Sequence, residues 1–376
     1  MASTYRLLLN GTPATEDLYQ RTSVLEVEEN ADMPGALQMT VSIARSEDGD
    51  LTSVNDAGFQ PFANVAVVAT AEGQPDECIF DGYVLAHKLH LQPGLVSSTL
   101  DIWAQDASSL MKLEEKTREW ANVTDSAAAN NIFGEYGFSP APENSDEDSS
   151  AYVDTANTLM QRSSDYDFLR GLARRAGKMF RVACGNVPGQ QIGYFSKPST
   201  DADPVTTMAP NDPEGSNVGA LDIEWDVLRP TAVQARQAVL SDSTPEGASG
   251  DADASGLSPV DERDLSTFAG RPVKAMLTTP ADDGTQLAMR AQAVLRDAGW
   301  FVRCTGEADV SRLQTVLRVG KVISLDGVGS VHSGKYFVWS VRHSISADAH
   351  KMRFVLVRNA VGPAPTGGGG LGGLLP

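Results

Sequence analysis

The first hundred residues alternate between apolar and polar side chains with a period of two. In ALQMTVSIAR, Leu37, Met39, Val41 and Ile43 point one way while Gln38, Thr40 and Ser42 point the other. Successive side chains of an extended chain lie on opposite faces, so this pattern predicts half-buried strands and leaves little room for helix. Similar runs cover Tyr5–Leu9, Val24–Val27, Val65–Ala71, Ile79–Leu91 and Thr99–Ala104. About six such strands predict a small barrel or sandwich. Asn10-Gly11 is a turn signal after the first run, and Gly82 marks an expected bulge in a long strand.

From Asp106 the period changes. DASSLMKLEEKTREW, VTDSAAANNIFGEYG and DTANTLMQRS read as short helices, and RSSDYDFLRGLARRAGKMFRV (Arg162–Val182) as a fourth that runs into a strand. In that fourth segment Ser164 is the expected N-cap. Asp165 and Asp167 sit at the positive end of the helix dipole, Arg174 and Arg175 at the negative end, and Gly177 is the left-handed stop. Burying Phe168 and Leu172 is worth roughly 1.5–3 kcal/mol each, against tenths for an exposed charge. The helix is therefore expected to be scaffold, with Asp165 contributing little.

Strands resume at Lys178–Val182, Gln191–Phe195 and Ala220–Leu228, and Leu240–Asp264 reads as a flexible, acidic linker. A second β-rich unit follows. It has a strand in RPVKAMLTT, a helix with Leu287, Ala291, Val294, Leu295 and Ala298 on one face, and strands at Trp300–Gly306, Lys321–Leu325, Tyr336–Ser346 and Met352–Arg358. The expected divisions are 1–105, a first tube-like β-barrel, and 106–235, a helical and α+β middle. After these come 236–268, a linker or loop, then 269–361, a second barrel with one helix, and 362–376, a glycine-rich arm. The arm has too few side chains for a core, yet it ends in Leu371, Leu374 and Leu375, which a purely solubilising tail would not need. These leucines are expected to dock on a partner.

Thirty Lys and Arg against 49 Asp and Glu give a net charge of −19, which argues against a nucleic-acid grip or an anionic membrane surface. The apolar run Val65–Ala71 is too short to span a bilayer, and MASTYRLLLNG lacks the basic and apolar regions of a secretory signal. Three cysteines, Cys78, Cys184 and Cys304, never form a C-x-x-C and are expected as reduced, buried thiols.

Motifs that carry chemistry are sparse. His87 and His90 fall on opposite faces of a strand, and His332, His343 and His350 read as isolated. There is no H-E-x-x-H, no G-x-S-x-G, and GVGSVHSG lies between strands and lacks the P-loop lysine. Asp251, Asp253, Ser255, Gly256 and Glu262 fall at calcium-loop positions, but Ser258 stands where an apolar residue belongs, Pro259 follows, and no helix flanks them. No catalytic residue, metal or cofactor is expected.

The order of elements is more specific than any motif. STLDIWAQDASSLMKLEEKTREWANVTDSAAANNIFGEYGFSP followed by SSDYDFLRGLARRAGKMFRV resembles the late control gene D family of contractile-tailed phages and the amino-terminal hub part of VgrG-type spike proteins. LRVGKVISLDGVGSVHSGKYFVWSVRHSIS with MRFVLVRNA resembles that family's closing module, with one departure at ADAHKM (Ala347–Met352), where relatives carry a Gly-Tyr turn. The resemblance implies an α+β, β-rich fold with two tail-tube-like barrels around a helical middle. It also implies a structural baseplate hub of a phage tail or tail-like injection particle, assembled in the bacterial cytoplasm. Such a hub is a homotrimer that joins a sixfold inner tube to a threefold spike beside baseplate wedge proteins. No valine-glycine β-helix follows residue 360, so the spike is expected to be a separate chain. The competing readings are a tail-associated cell-wall hydrolase, which needs two carboxylates at a defined separation, and a secreted calcium-binding module.

Overall fold

The period-two runs become an antiparallel sheet. A computed structural model describes residues 4–95, 97–145, 159–212, 215–237, 248–279 and 284–363. In it Leu37, Met39, Val41 and Ile43 are all buried, as the alternation requires. The sheet path starts with Leu221–Trp225, Val302–Asp309, His350–Arg358 and Gly334–Ile345, all from the second half of the chain. It continues through Thr22–Asn30, Ala36–Ser42, Thr99–Asp106, Glu77–His90, Asn64–Thr70, Thr4–Leu9 and Thr12–Pro13. Two further strands lie off the path: Thr207–Met208 pairs with Val322–Leu325, which in turn pairs with Gly334–Ile345.

The fold is β-rich α+β, and its two β-rich ends share this one sheet. One edge of Gly334–Ile345 is divided between two neighbours. Gly334–Phe337 pairs with Val322–Leu325, and Ser340–Ser344 pairs with Glu26–Asn30 of the first half. The path is open, without a closed ring of strands among the described residues. A single apolar core runs under both halves, from Leu7, Val27 and Met39 to Phe337, Val341 and Leu356.

Asn10 and Gly11 take φ values of 50° and 76°, the conformation that the hairpin turn requires. Gly82 is not itself a bulge. The register shifts fall at Val67/Val68 and Val84/Ala86, and Gly82 is instead where two strands touch. A Cβ there would lie 2.1 Å from the Gln105 carbonyl oxygen.

The middle has its own core of Trp120, Ile132, Phe133, Leu169, Leu172 and Phe180. Two expected helices hold strands in their described parts, 154–158 of the second lying outside the described residues. After a short 3-10 turn at Ala107–Lys112, Glu115–Trp120 runs antiparallel to Leu159–Ser164. Leu159 and Gln161 point inward while Met160 and Arg162 are exposed, a period of two that helix propensity masked. Asp125–Glu135 and Asp165–Ala176 are helices as expected, capped by Thr124 and Ser164.

The part of the expected linker at 248–268 is tied down, which corrects its reading as flexible; 238–247 lie outside the described residues. Arg263–Asp264 pairs with Ala360–Val361, the Val260 N–H donates to Asn359, and Arg358 donates to Asp261. Asp261 thus serves a buried arginine, while Asp251, Asp253, Glu262 and Asp264 are exposed. Beside this stretch, helix Gly284–Ala298 covers the parallel strands Ala232–Gln237 and Lys274–Leu277 through Leu287, Ala291 and Leu295. No helix among the described residues is long and apolar enough to cross a membrane.

Candidate functional site

Ser164 ends a strand and caps the helix that follows. Its hydroxyl accepts the Asp167 N–H at 3.2 Å, and Gly177 closes the helix at φ 59°. To that extent the charge sorting is helix architecture. Asp165, however, is fully buried. Its carboxylate accepts from Lys116 Nζ at 2.5 Å, Gln161 Nε2 at 2.6 Å and the Tyr136 hydroxyl at 2.7 Å. Gln161 is itself held by Trp120 Nε1 at 3.0 Å. Burial alone would push the Asp165 carboxyl up, but the donors from Lys116, Gln161 and Tyr136 hold it below its usual range. Burial and the same carboxylate push the Tyr136 phenol up to about 12.

A carboxylate that is ionised, fully buried and bound to three donors has no proton to give and is out of a substrate's reach. It is an anchor that joins Glu115–Trp120, Asp125–Glu135 and Asp165–Ala176. The expectation that Asp165 contributes little is therefore wrong, because its partners come from segments that local spacing does not reveal. Asp165→Asn is expected to lower unfolding free energy by about 2–3 kcal/mol, since it strands the buried donors. Urea denaturation of the variant against the parent checks this.

A second network sits where three parts of the chain meet. Arg318, 8 % exposed, reaches Glu29 through Nε at 2.8 Å and Glu77 through Nη1 at 3.1 Å. Its Nη2 donates to the Cys184 carbonyl at 3.3 Å, and the Val319 N–H donates to Glu29 at the same distance. Glu29 and Glu77 belong to strands of the first half, Cys184 to Met179–Cys184 of the middle, and Arg318 to the second half. Arg181 adds to the joint by stacking on Tyr194 and donating to the Val319 carbonyl at 3.2 Å. Burial opposes the Arg318 charge, but Glu29 and its neighbours outweigh it and hold the guanidinium protonated.

His343 and His350 are not isolated, contrary to the reading of the sequence. The hairpin of Gly334–Ile345 and His350–Arg358 puts His343 Nδ1 3.0 Å from His350 Nε2, both rings buried. The outer ring nitrogens, His343 Nε2 and His350 Nδ1, have no hydrogen-bond partner among the described residues. Burial depresses both, His350 to about 4 and His343 well below the usual histidine value.

Among the described residues no three His, Cys, Asp or Glu side chains converge as a metal set would. Asp251 of the calcium-like pattern is held by Arg236 and by the Ala235 N–H. The three cysteines are free and buried. The fold brings Cys78 and Cys184 together, with the Cys184 thiol donating to the Cys78 carbonyl, and burial pushes the Cys304 thiol up to about 12. Leu371, Leu374 and Leu375 lie outside the described residues.

The geometry is thus that of a scaffold cross-linked by buried charge, and comparisons with known proteins agree on the architecture. A family model described as the Alg8 N-terminal domain matches residues 2–347. A comparison with curated proteins finds no match. Among solved structures, the 43 kDa tail protein of prophage MuSo2 from Shewanella oneidensis superposes with a TM-score of 0.66 at 12 % identity, covering 96 % of this chain and 100 % of that one. A tail protein from Neisseria meningitidis MC58 gives 0.65 at 13 % identity over 96 % and 97 %. The E. coli c3393 protein gives 0.53 at 12 % over 94 % and 76 %. That protein is described as a type VI secretion component with structural similarity to the T4 tail proteins gp27 and gp5.

Proposed function

The chain belongs to the Alg8 N-terminal domain family, and from its tail-protein fold we propose that it is the structural hub of a contractile phage tail or a tail-like injection particle. It acts as a homotrimer that joins a sixfold inner tube to a separate threefold spike, with baseplate wedge proteins around it. The observation that carries this reading is the shared sheet, in which Ser340–Ser344 pairs with Glu26–Asn30 and sets two β-rich units side by side in one chain. Three such chains present six units to the tube and keep a threefold axis for the spike. At −19 per chain the ring repels anionic cargo from its wall, and low salt weakens subunit contacts that are not charge-matched.

Cryo-electron microscopy of the chain mixed with its tube and spike proteins tests this. A threefold ring with a six-unit face on the tube is expected, and a chain that joins neither partner overturns the reading. The role is non-enzymatic: suspended cell walls are expected to keep their turbidity when the pure protein is added, and clearing would favour the hydrolase. The terminal arm is proposed to dock Leu371, Leu374 and Leu375 on the spike. Deletion of 367–376 is then expected to leave the trimer and the tube contact intact while weakening spike retention in a pull-down. Undiminished retention would make the arm a loose end.

A further inference from the structure

A cleft of about 490 Å³ opens between the last turn of Asp165–Ala176 and the helix Gly284–Ala298. Five cations line it, Arg174, Arg175, Lys178, Arg290 and Arg296, against two carboxylates among the described residues, Asp32 and Asp297. On a chain whose net charge is −19, such a concentration of positive charge needs a reason. Structural roles account for part of it. Asp32 lies 3.6 Å from Arg174, Asp125 lies 2.7 Å from Arg175, and each helix C-terminus offers about half a negative charge.

Arg296, in the last turn of its helix, is accounted for only in part in this way. It is 3 % exposed, it donates to the Ala176 carbonyl at 2.7 Å, and its Nε has no hydrogen-bond partner among the described residues. The other arginines buried as deeply among the described residues, Arg318 and Arg358, each meet a carboxylate, Glu29 and Asp261. A buried guanidinium without one is costly unless an anion arrives. Part of the cleft wall is apolar, with Trp300, Trp339, Leu277 and Val294 in its lining. A free inorganic anion would use the cations and leave that wall wet.

We propose that this cleft docks a carboxylate-rich segment of a partner protein, with carboxylates on the arginines and an apolar side chain against the tryptophans. The identity of the partner as a tail component rests on the hub reading; the charge chemistry does not.

The test is fluorescence anisotropy of a dye-labelled peptide of alternating Glu and Leu, titrated with the full-length chain at low salt. A Gln/Leu peptide and inorganic phosphate as competitor are run beside it. Saturable binding of the Glu peptide is expected, together with no binding of the Gln peptide and little displacement by millimolar phosphate. Arg296→Gln and the charge reversal Arg174→Glu with Arg290→Glu are expected to weaken binding at least tenfold, whereas Arg296→Lys retains most of it. Equal binding of the Gln peptide, full displacement by phosphate, or unchanged affinity in the charge reversal would overturn the proposal. A chain that assembles as three copies with its tube and spike proteins yet ignores the peptide would overturn this inference alone, and one that binds the peptide yet stays at a single copy with both partners would overturn the hub reading alone.

Discussion

Arg318→Met is expected to lower the unfolding free energy by about 3–5 kcal/mol, because it leaves the carboxylate of Glu29 buried without its partner. Glu29 is 7 % exposed and cannot turn to water, whereas Glu77, with 30 % of its side chain exposed, can partly rehydrate. The loss should be largely reversed by adding Glu29→Leu, since replacing a buried pair by apolar side chains is often neutral. Guanidinium denaturation of the single and double variants measures both numbers. A single variant as stable as the parent would mean that the three parts of the chain are joined by apolar packing alone. Because the network ties the first half, the middle and the second half together, Arg318→Met is also expected to impair assembly before the chain unfolds.

Acid is expected to weaken the fold through the histidine pair. His350 has a folded value of about 4 against 6.5 when exposed, so its stabilising effect is complete above 6.5 and is lost as pH falls towards 4. At 1.36 kcal/mol per unit this is about 3 kcal/mol, and His343, also held neutral by burial, adds to the loss. Asp106 acts in the opposite direction. Burial raises it to about 6 from 3.8, so the folded state binds its proton first and gains about 3 kcal/mol as pH falls from 6 to 3.8. His350 and Asp106 nearly cancel, which leaves His343, together with His332 that burial and Arg358 also lower, to decide the sign. The parent should therefore lose stability between pH 6.5 and 4. The His343→Leu, His350→Leu variant should lose less or gain, because removing both partners of a buried pair by apolar side chains is nearly neutral at pH 7. Thermal melts across that range check the sign; parallel profiles for parent and variant would contradict it.

Much of the fold could be read locally. The alternation around Met39 placed a strand, and Ser164, Asp167 and Gly177 bounded a helix, because each signal lies within a few residues of its effect. The buried charge pairs are not legible locally, because their partners are remote: Arg318 and Glu29 are 289 positions apart. A signal existed nonetheless. Leu25, Val27 and Glu29 share one phase of their strand, as do Val341, His343 and Ile345, so both polar residues were already turned towards the core. Strand phase alone therefore marks which polar residues face the core. The strand Leu159–Ser164 was missed for another reason, since six residues of mixed polarity carry too short a period to separate from a helical turn. The cleft at Arg296 draws on residues from Asp32 to Trp339 and has no local signature at all.

The central claim is that three copies of this chain form one ring. Multi-angle light scattering of the purified chain with its tube and spike proteins, at moderate salt, tests that most directly. The hub component is expected at three copies per particle, near three times 40.0 kDa for the hub alone. A chain that stays at a single copy in the presence of both partners would contradict the account.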